Sequence, residues 1–169
     1  LNVAEFIRHN LVAAPDVNSA LATLEPPYPG YRRTQQALEK YLVLGREPDI
    51  TLPPAAKTIE PGEPYAGAEK LTILLRRFGD LPNNTPAFPQ DLYGKALVDA
   101  VKRFQTRHGL EPDGRIGKAT LAQLNTPVSR RIRQLQFTLE RYRWAPHNFP
   151  RPPIVVNIPE FKLRAMNPQ

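Results

Sequence analysis

When each residue of DLYGKALVDAVKRFQTRH, residues 91–108, is turned by 100°, Tyr93, Leu97, Ala100, Val101, Phe104 and His108 fall into one stripe. Lys95, Asp99, Lys102 and Thr106 lie opposite, and Arg103 and Arg107 run along the flanks. A helix this amphipathic is stable only with its stripe against other elements, so the chain must supply partner helices on either side.

The helix has a clear stop. Gly109 sits at the left-handed position after the last turn, with Leu110 next to reach back to Phe104 in a Schellman-type closure, and His108 falls where a ring N–H meets free carbonyls. Pro112, Asp113 and Gly114 then make a turn: proline pre-sets φ, aspartate bonds the backbone ahead, and glycine supplies positive φ. Ile116 returns to the core, and Gly117 opens a short third helix, KATLAQLN, which is expected to bury Leu121 and Leu124.

The same stretch, FQTRHGLEPDGRIGKAT, could pass for a reactive loop, but its spacing excludes the usual chemistries. A phosphate loop needs glycine where Pro112 stands and Ser or Thr where Ala119 stands, and it follows a strand rather than a helix. A calcium loop needs several carboxylates in register, whereas RHGLEPDGR offers one. His9, His108 and His147 have no metal-ligand spacing, and neither Ser19 nor Ser129 sits in a nucleophile elbow. The reading is therefore no metal and no cofactor.

Upstream, LTILLRR is expected to form the partner helix, with Leu71, Leu74 and Leu75 inward and Gly79 ending it, after a turn at Glu60-Pro61-Gly62. Twenty prolines, about twice the ordinary share of roughly 5%, keep such helices short and separate them by stiff connections. Residues 1–44 read as a helical scaffold. It has an amphipathic stretch around Phe6 and Leu11, Asp16 as N-cap of NSALATL, and a third helix after Tyr28-Pro29-Gly30 burying Leu38, Tyr41, Leu42 and Leu44. Residues 45–57 carry three prolines and no periodicity, and read as a linker or extended edge.

Residues 58–125 form the central three-helix module, and 126–144 a connector helix. Thr126 should cap that helix, Pro127 should be its first residue, and Val128, Ile132, Leu135, Leu139 and Tyr142 should form its buried stripe, with Arg130, Arg133, Gln134 and Arg141 outside. Residues 145–169 contain two strand-like runs, 154–158 and 161–165, which read as a β-hairpin. The expected class is mainly α.

ALVDAVKRFQTRHGLEPDGRIGKATLAQLN resembles the second half of the peptidoglycan-binding-like domain, a three-helix wall-anchoring module. Phe104, Gln105, Gly109, Leu110, Asp113, Gly114, Gly117, Thr120 and Leu124 fall on its pattern, as do Val98 or Ala100 and Val101. Residues 58–81 resemble the first half. The flanks, PPYPGYRRTQQALEKYLVL and SRRIRQLQFTLERYRWAPHNFPRPPIVVNIPEFKLRA, are similar to regions around this domain in large periplasmic L,D-transpeptidases.

That resemblance implies a bacterial periplasmic or wall-associated protein with peptidoglycan as partner. The transpeptidases use a cysteine nucleophile, because a thiolate attacks an acyl donor far better than a neutral hydroxyl. This chain has no cysteine. It is therefore expected to be the non-catalytic, substrate-positioning portion of such a protein, with residues 145–169 as the start of a truncated catalytic domain and that domain as a second partner.

Peptidoglycan presents sugars, amides and stem-peptide carboxylates, so a shallow groove with cations, polar groups and an aromatic wall is expected. The candidates are Tyr93, Arg103, Gln105, Arg107, His108, Asp113 and Arg115, with Phe104, Gly109, Leu110, Gly114, Ile116, Gly117, Thr120 and Leu124 as framework. The net charge of +7 and pI near 9.9 suit a polyanionic partner. No recognition-helix motif or stacking platform supports nucleic acid. The alternative is a scaffold that holds a protein partner without touching the wall. No run approaches the roughly 18–20 apolar residues of a membrane span.

Overall fold

The computed structural model describes residues 2–85, 91–146, 154–157 and 162–165. The chain is mainly helical: α1 (Val3–Ile7, continued by a π-type turn Arg8–Val12), α2 (Val17–Leu24), α3 (Pro29–Leu44), α4 (Ala68–Phe78), α5 (Lys95–Arg107), α6 (Lys118–Leu124) and α7 (Val128–Trp144). Two short strands, β1 (Ile154–Asn157) and β2 (Lys162–Ala165), pair antiparallel with Ile154 opposite Ala165. The residues expected to turn between them, and His147, lie outside the described residues. No described helix is long and apolar enough to cross a membrane. The backbone divides into two compact units, residues 1–39 with 133–169, and residues 40–132.

In the first unit Asp16 caps α2 as its sequence requires, accepting from the backbone N–H groups of Asn18 and Ser19 at 3.1 Å each. Neither α1 nor α2 buries a residue, and Phe6 is more than a third exposed. The interior of this unit is aromatic. Tyr31 is 2% exposed, its ring meets Tyr142 edge-on with centroids 6.1 Å apart, and its hydroxyl accepts from the Arg143 guanidinium at 3.2 Å. Tyr28 packs on the same Tyr142 and donates to the Pro146 carbonyl. Gly30 permits this closeness, since a β-carbon there would overlap the Tyr142 ring.

In the second unit the α4 and α5 stripes meet around Leu71, Leu74, Leu75, Phe78, Leu97, Val101 and Phe104, all buried, and α6 adds Thr120 and Leu124. Leu121 is only half-buried. Both long helices stop in the same way. Leu110 N–H returns to Gln105 C=O and Gly109 N–H to Thr106 C=O, while Asp80 N–H returns to Leu75 C=O and Gly79 N–H to Arg76 C=O. With Gly109 and Gly79 at φ 68° and 79°, these are Schellman closures.

Several local expectations give way to longer-range contacts. Helix α5 starts at Lys95 rather than Asp91, because Leu92 bridges Pro64 and Tyr93 exchanges backbone bonds with Gly62 and Glu63, which draws the preceding residues out of the helix. In α3 Leu42 is exposed and Tyr41 carries the burial. Helix α7 begins at Val128, which is half-buried, and its first N–H is capped by Asp49 at 3.0 Å while the Thr126 hydroxyl turns back to Ala122 C=O. Residues 45–57 are not loosely tethered. Leu52, 1% exposed, is bonded through its N–H and C=O to the two ends of the Asn125 side-chain amide, at 2.8 and 3.1 Å.

Candidate functional site

The Asp113-Gly114 corner is built around one side chain. Gln105, 1% exposed on α5, accepts the Gly114 N–H through Oε1 at 2.9 Å. Its Nε2 donates to Asp113 Oδ1 at 2.8 Å, Arg115 C=O at 3.0 Å and Thr120 Oγ1 at 3.2 Å. Tyr93, fully buried, donates its hydroxyl to Gly114 C=O at 2.6 Å. Burial, with the Asp113 charge second, pushes its phenol well above the usual tyrosine range. Gly114 stands at φ 76°, and a β-carbon there would come within 2.8 Å of both Lys102 and Val98.

Tyr93 and Gln105 thus hold the backbone of the corner from inside. They offer no polar atom to solvent, and no aromatic wall is formed by Tyr93. Asp113 and Arg115 face outward. Asp113 also accepts from Arg115 N–H at 2.8 Å. Burial works against its charge, but that bond and the one from Gln105 outweigh it, so its carboxyl lies below the ordinary range. Arg115 pairs with Glu60 at 2.8 Å.

The remaining candidates gather elsewhere in this unit. Arg107 grips Asp80 with both Nη2 and Nε, at 2.5 and 3.3 Å, and donates to the Tyr41 hydroxyl at 3.1 Å. Arg103 donates to Asp80 C=O at 2.8 Å. Burial lowers the proton affinity of Arg107, but the bond to Asp80 and the Tyr41 oxygen more than reverse this, so it stays above its ordinary value. The stacked pair Phe78 and Phe104, 6.1 Å between centroids, lies under two guanidiniums, Arg107 at 5.9 and 5.6 Å and Arg131 at 5.4 and 5.9 Å.

His108 packs its ring on Phe104 with centroids 4.2 Å apart, and an Arg131 nitrogen lies 3.3 Å from each of its ring nitrogens. Burial, then the charges of Arg131 and Arg107, lower its pKa to about 4. It is a neutral ring at pH 7, wedged against arginine. Arg131 is 6% exposed, donates to the Gln123 carbonyl and has no partner for Nε among the described residues. Nothing in RRIR separates this buried arginine from its exposed neighbours; Phe78, Phe104 and His108, far away in sequence, select it.

Two open grooves adjoin the corner. One, about 300 Å³, is lined by Thr58, Leu110, Glu111, Asp113, Arg115 and Lys118 among others. A second, about 510 Å³, runs between residues 54–58 and α6 and shares Thr58, Gly117 and Lys118 with the first. Spacing alone could not reveal Thr58 or Lys118 as groove residues, since the groove exists only where residues 54–58 pass beside α6. No group of three or more His, Asp or Glu among the described residues is placed to hold a metal.

The family model described as "Putative peptidoglycan binding domain" matches residues 66–124. A peptidoglycan-binding domain therefore occupies α4, α5 and α6 together with the Asp113-Gly114 corner, in agreement with the resemblance read from ALVDAVKRFQTRHGLEPDGRIGKATLAQLN and residues 58–81. No curated protein matches the chain.

Proposed function

We propose that the chain anchors a bacterial envelope protein to peptidoglycan and positions the polymer for cross-linking by an L,D-transpeptidase activity in the same parent protein. The observation that carries this reading is the family match over residues 66–124. The grooves beside the corner add support, because they are open, edged by Arg115 and Lys118, and built on backbone held from inside by Gln105 and Tyr93. Cations around a shallow groove suit the carboxylates of stem peptides. On this reading Asp113 and Arg115 contact the polymer, whereas Arg103, Arg107 and His108 maintain the domain beneath. The transpeptidase setting, and with it the periplasm, rests on the flanking segments 26–44 and 129–165.

The test is co-sedimentation with purified insoluble peptidoglycan. The chain should pellet with the wall polymer at ~50 mM salt and less at ~500 mM, since exposed charges are screened over shorter distances at higher salt. A folded chain that stays in the supernatant at both concentrations would overturn the assignment. Generic duplex DNA at the lower salt is the control for simple attraction between this basic chain and any polyanion.

A further inference from the structure

The segment between Leu52 and Ile59 is a strap pinned at both ends to the neighbourhood of α6. At one end the Leu52 main chain pairs with the Asn125 amide. At the other, Ile59 and Ile116 exchange N–H to C=O bonds at 3.3 and 3.1 Å. Between the pins the strap stands off the helix and leaves the 510 Å³ groove. Its walls are made small by Ala55, Ala56, Gly117 and Ala122, with Leu121 half-buried among them. Among the described residues, the main-chain N–H groups of Ala55, Ala56, Lys57 and Thr58 donate to no protein acceptor.

Three properties of this groove select among the parts of peptidoglycan. None of the lining residues is aromatic, so there is no ring face for a sugar to stack on. The lining carries two cations, Lys57 and Lys118, and no carboxylate; Lys57 also reaches Glu63, while Lys118 joins no ion pair among the described residues. The strap bends at Ala56 and Lys57 and presents unpaired N–H groups beside small apolar side chains, so it offers main-chain donors to the carbonyls of a peptide. Stem peptides are short, rich in alanine methyls and bear free carboxylates.

Taking the peptidoglycan reading above as given, we infer that the strap groove binds the peptide stem rather than the glycan strand. The stem lies along residues 55–58 with its methyls against Ala122 and Leu121 and a carboxylate at Lys118. Specificity then comes from the width of the groove, which admits alanine-sized side chains, and from the sign of its charge.

The chain is titrated, with backbone amide shifts as readout, against a soluble alanine-containing stem tetrapeptide and, separately, against a β-1,4-linked N-acetylglucosamine oligomer. The peptide should shift amides of residues 55–58 and 117–122, and the sugar oligomer should not. Ala122→Phe, which fills the groove, and Lys118→Glu, which reverses its charge on an exposed side chain, should each weaken the peptide roughly tenfold with an unchanged Tm. Wall polymer that pellets the chain while the tetrapeptide shifts nothing, or shifts residues elsewhere, overturns the groove assignment and leaves wall binding standing. Peptide affinity unmoved by both substitutions overturns it too. Failure of the wild-type chain to pellet with wall polymer removes the premise itself.

Discussion

Gln105 accepts the Gly114 N–H at 2.9 Å from a side chain that is 1% exposed, and so a residue nine positions upstream fixes the tip of the turn. The glutamine amide suits this place because it accepts and donates at once, and its donor end serves Asp113, Arg115 and Thr120.

Gln105→Ala would leave the buried Gly114 N–H and Arg115 C=O unpaired, at a cost of about 2–4 kcal/mol in urea unfolding. Gln105→Glu keeps the acceptor but sets a carboxylate against Asp113. Burial and that like charge raise the pKa of the new group above its unfolded value, so the variant should recover stability as pH falls through that raised pKa. Equal losses for both variants at every pH would refute the donor-acceptor assignment.

Gly109 and Gly114 both have positive φ but meet different surroundings. A β-carbon at Gly109 has nothing within 4 Å, whereas one at Gly114 collides with Lys102 and Val98. Gly109→Ala should therefore cost only the backbone penalty of about 1–2 kcal/mol. Gly114→Ala should cost more, about 2–4 kcal/mol, because the neighbours must shift as well. Parallel thermal melts decide the order.

With its pKa lowered to about 4 in the folded chain and ordinary in the unfolded one, His108 makes the unfolded state bind more protons between those values. Its contribution is fully present above about pH 6.5 and is lost progressively toward pH 4, amounting to about 1–3 kcal/mol. Arg131 and Arg107 face the ring and Asp80 pairs with Arg107, so a proton on His108 adds a third cation beside a single carboxylate. His108→Phe keeps the ring contact with Phe104 and should flatten this part of the stability-pH curve; an unchanged slope would contradict the assignment.

The family match covers residues 66–124, yet the domain interior is completed by Tyr41, Leu52, Ile59 and Arg131 outside it. A fragment limited to 66–124 exposes Leu71, Leu75 and Phe104 partners and strands Asp80 with fewer supports. It should melt broadly and at a lower temperature than a fragment spanning 40–132, as followed by circular dichroism. Identical cooperative melts would show that the outer residues are dispensable.

What could be read from the chain was what short-range chemistry decides. The Gly109 stop, the Gly79 stop and the Asp16 cap depend on residues within one turn of each other, and each formed as its sequence implied. The α5 stripe was legible for the same reason. Asp49 as the cap of α7, the burial of Arg131 and the pairing of Leu52 with Asn125 join residues 73 or more positions apart, or depend on which of several arginines meets an aromatic pair. Periodicity carries no information about such partners. Gln105 and Tyr93 show a subtler limit: polar side chains inside a recognisable motif look like ligand contacts until burial shows them bonded to the motif's own backbone.

The amide of Asn125 impersonates a neighbouring strand for Leu52, offering one acceptor and one donor where a β-partner would offer the same. Replacing its nitrogen by oxygen, as hydrolysis of the amide does, keeps the bond to Leu52 N–H and turns the other contact into two oxygens facing each other. Slow chemical ageing at this one atom would unfasten the strap at one end while the helices stay folded, and wall affinity would then decline with storage time even as the helical signal held constant.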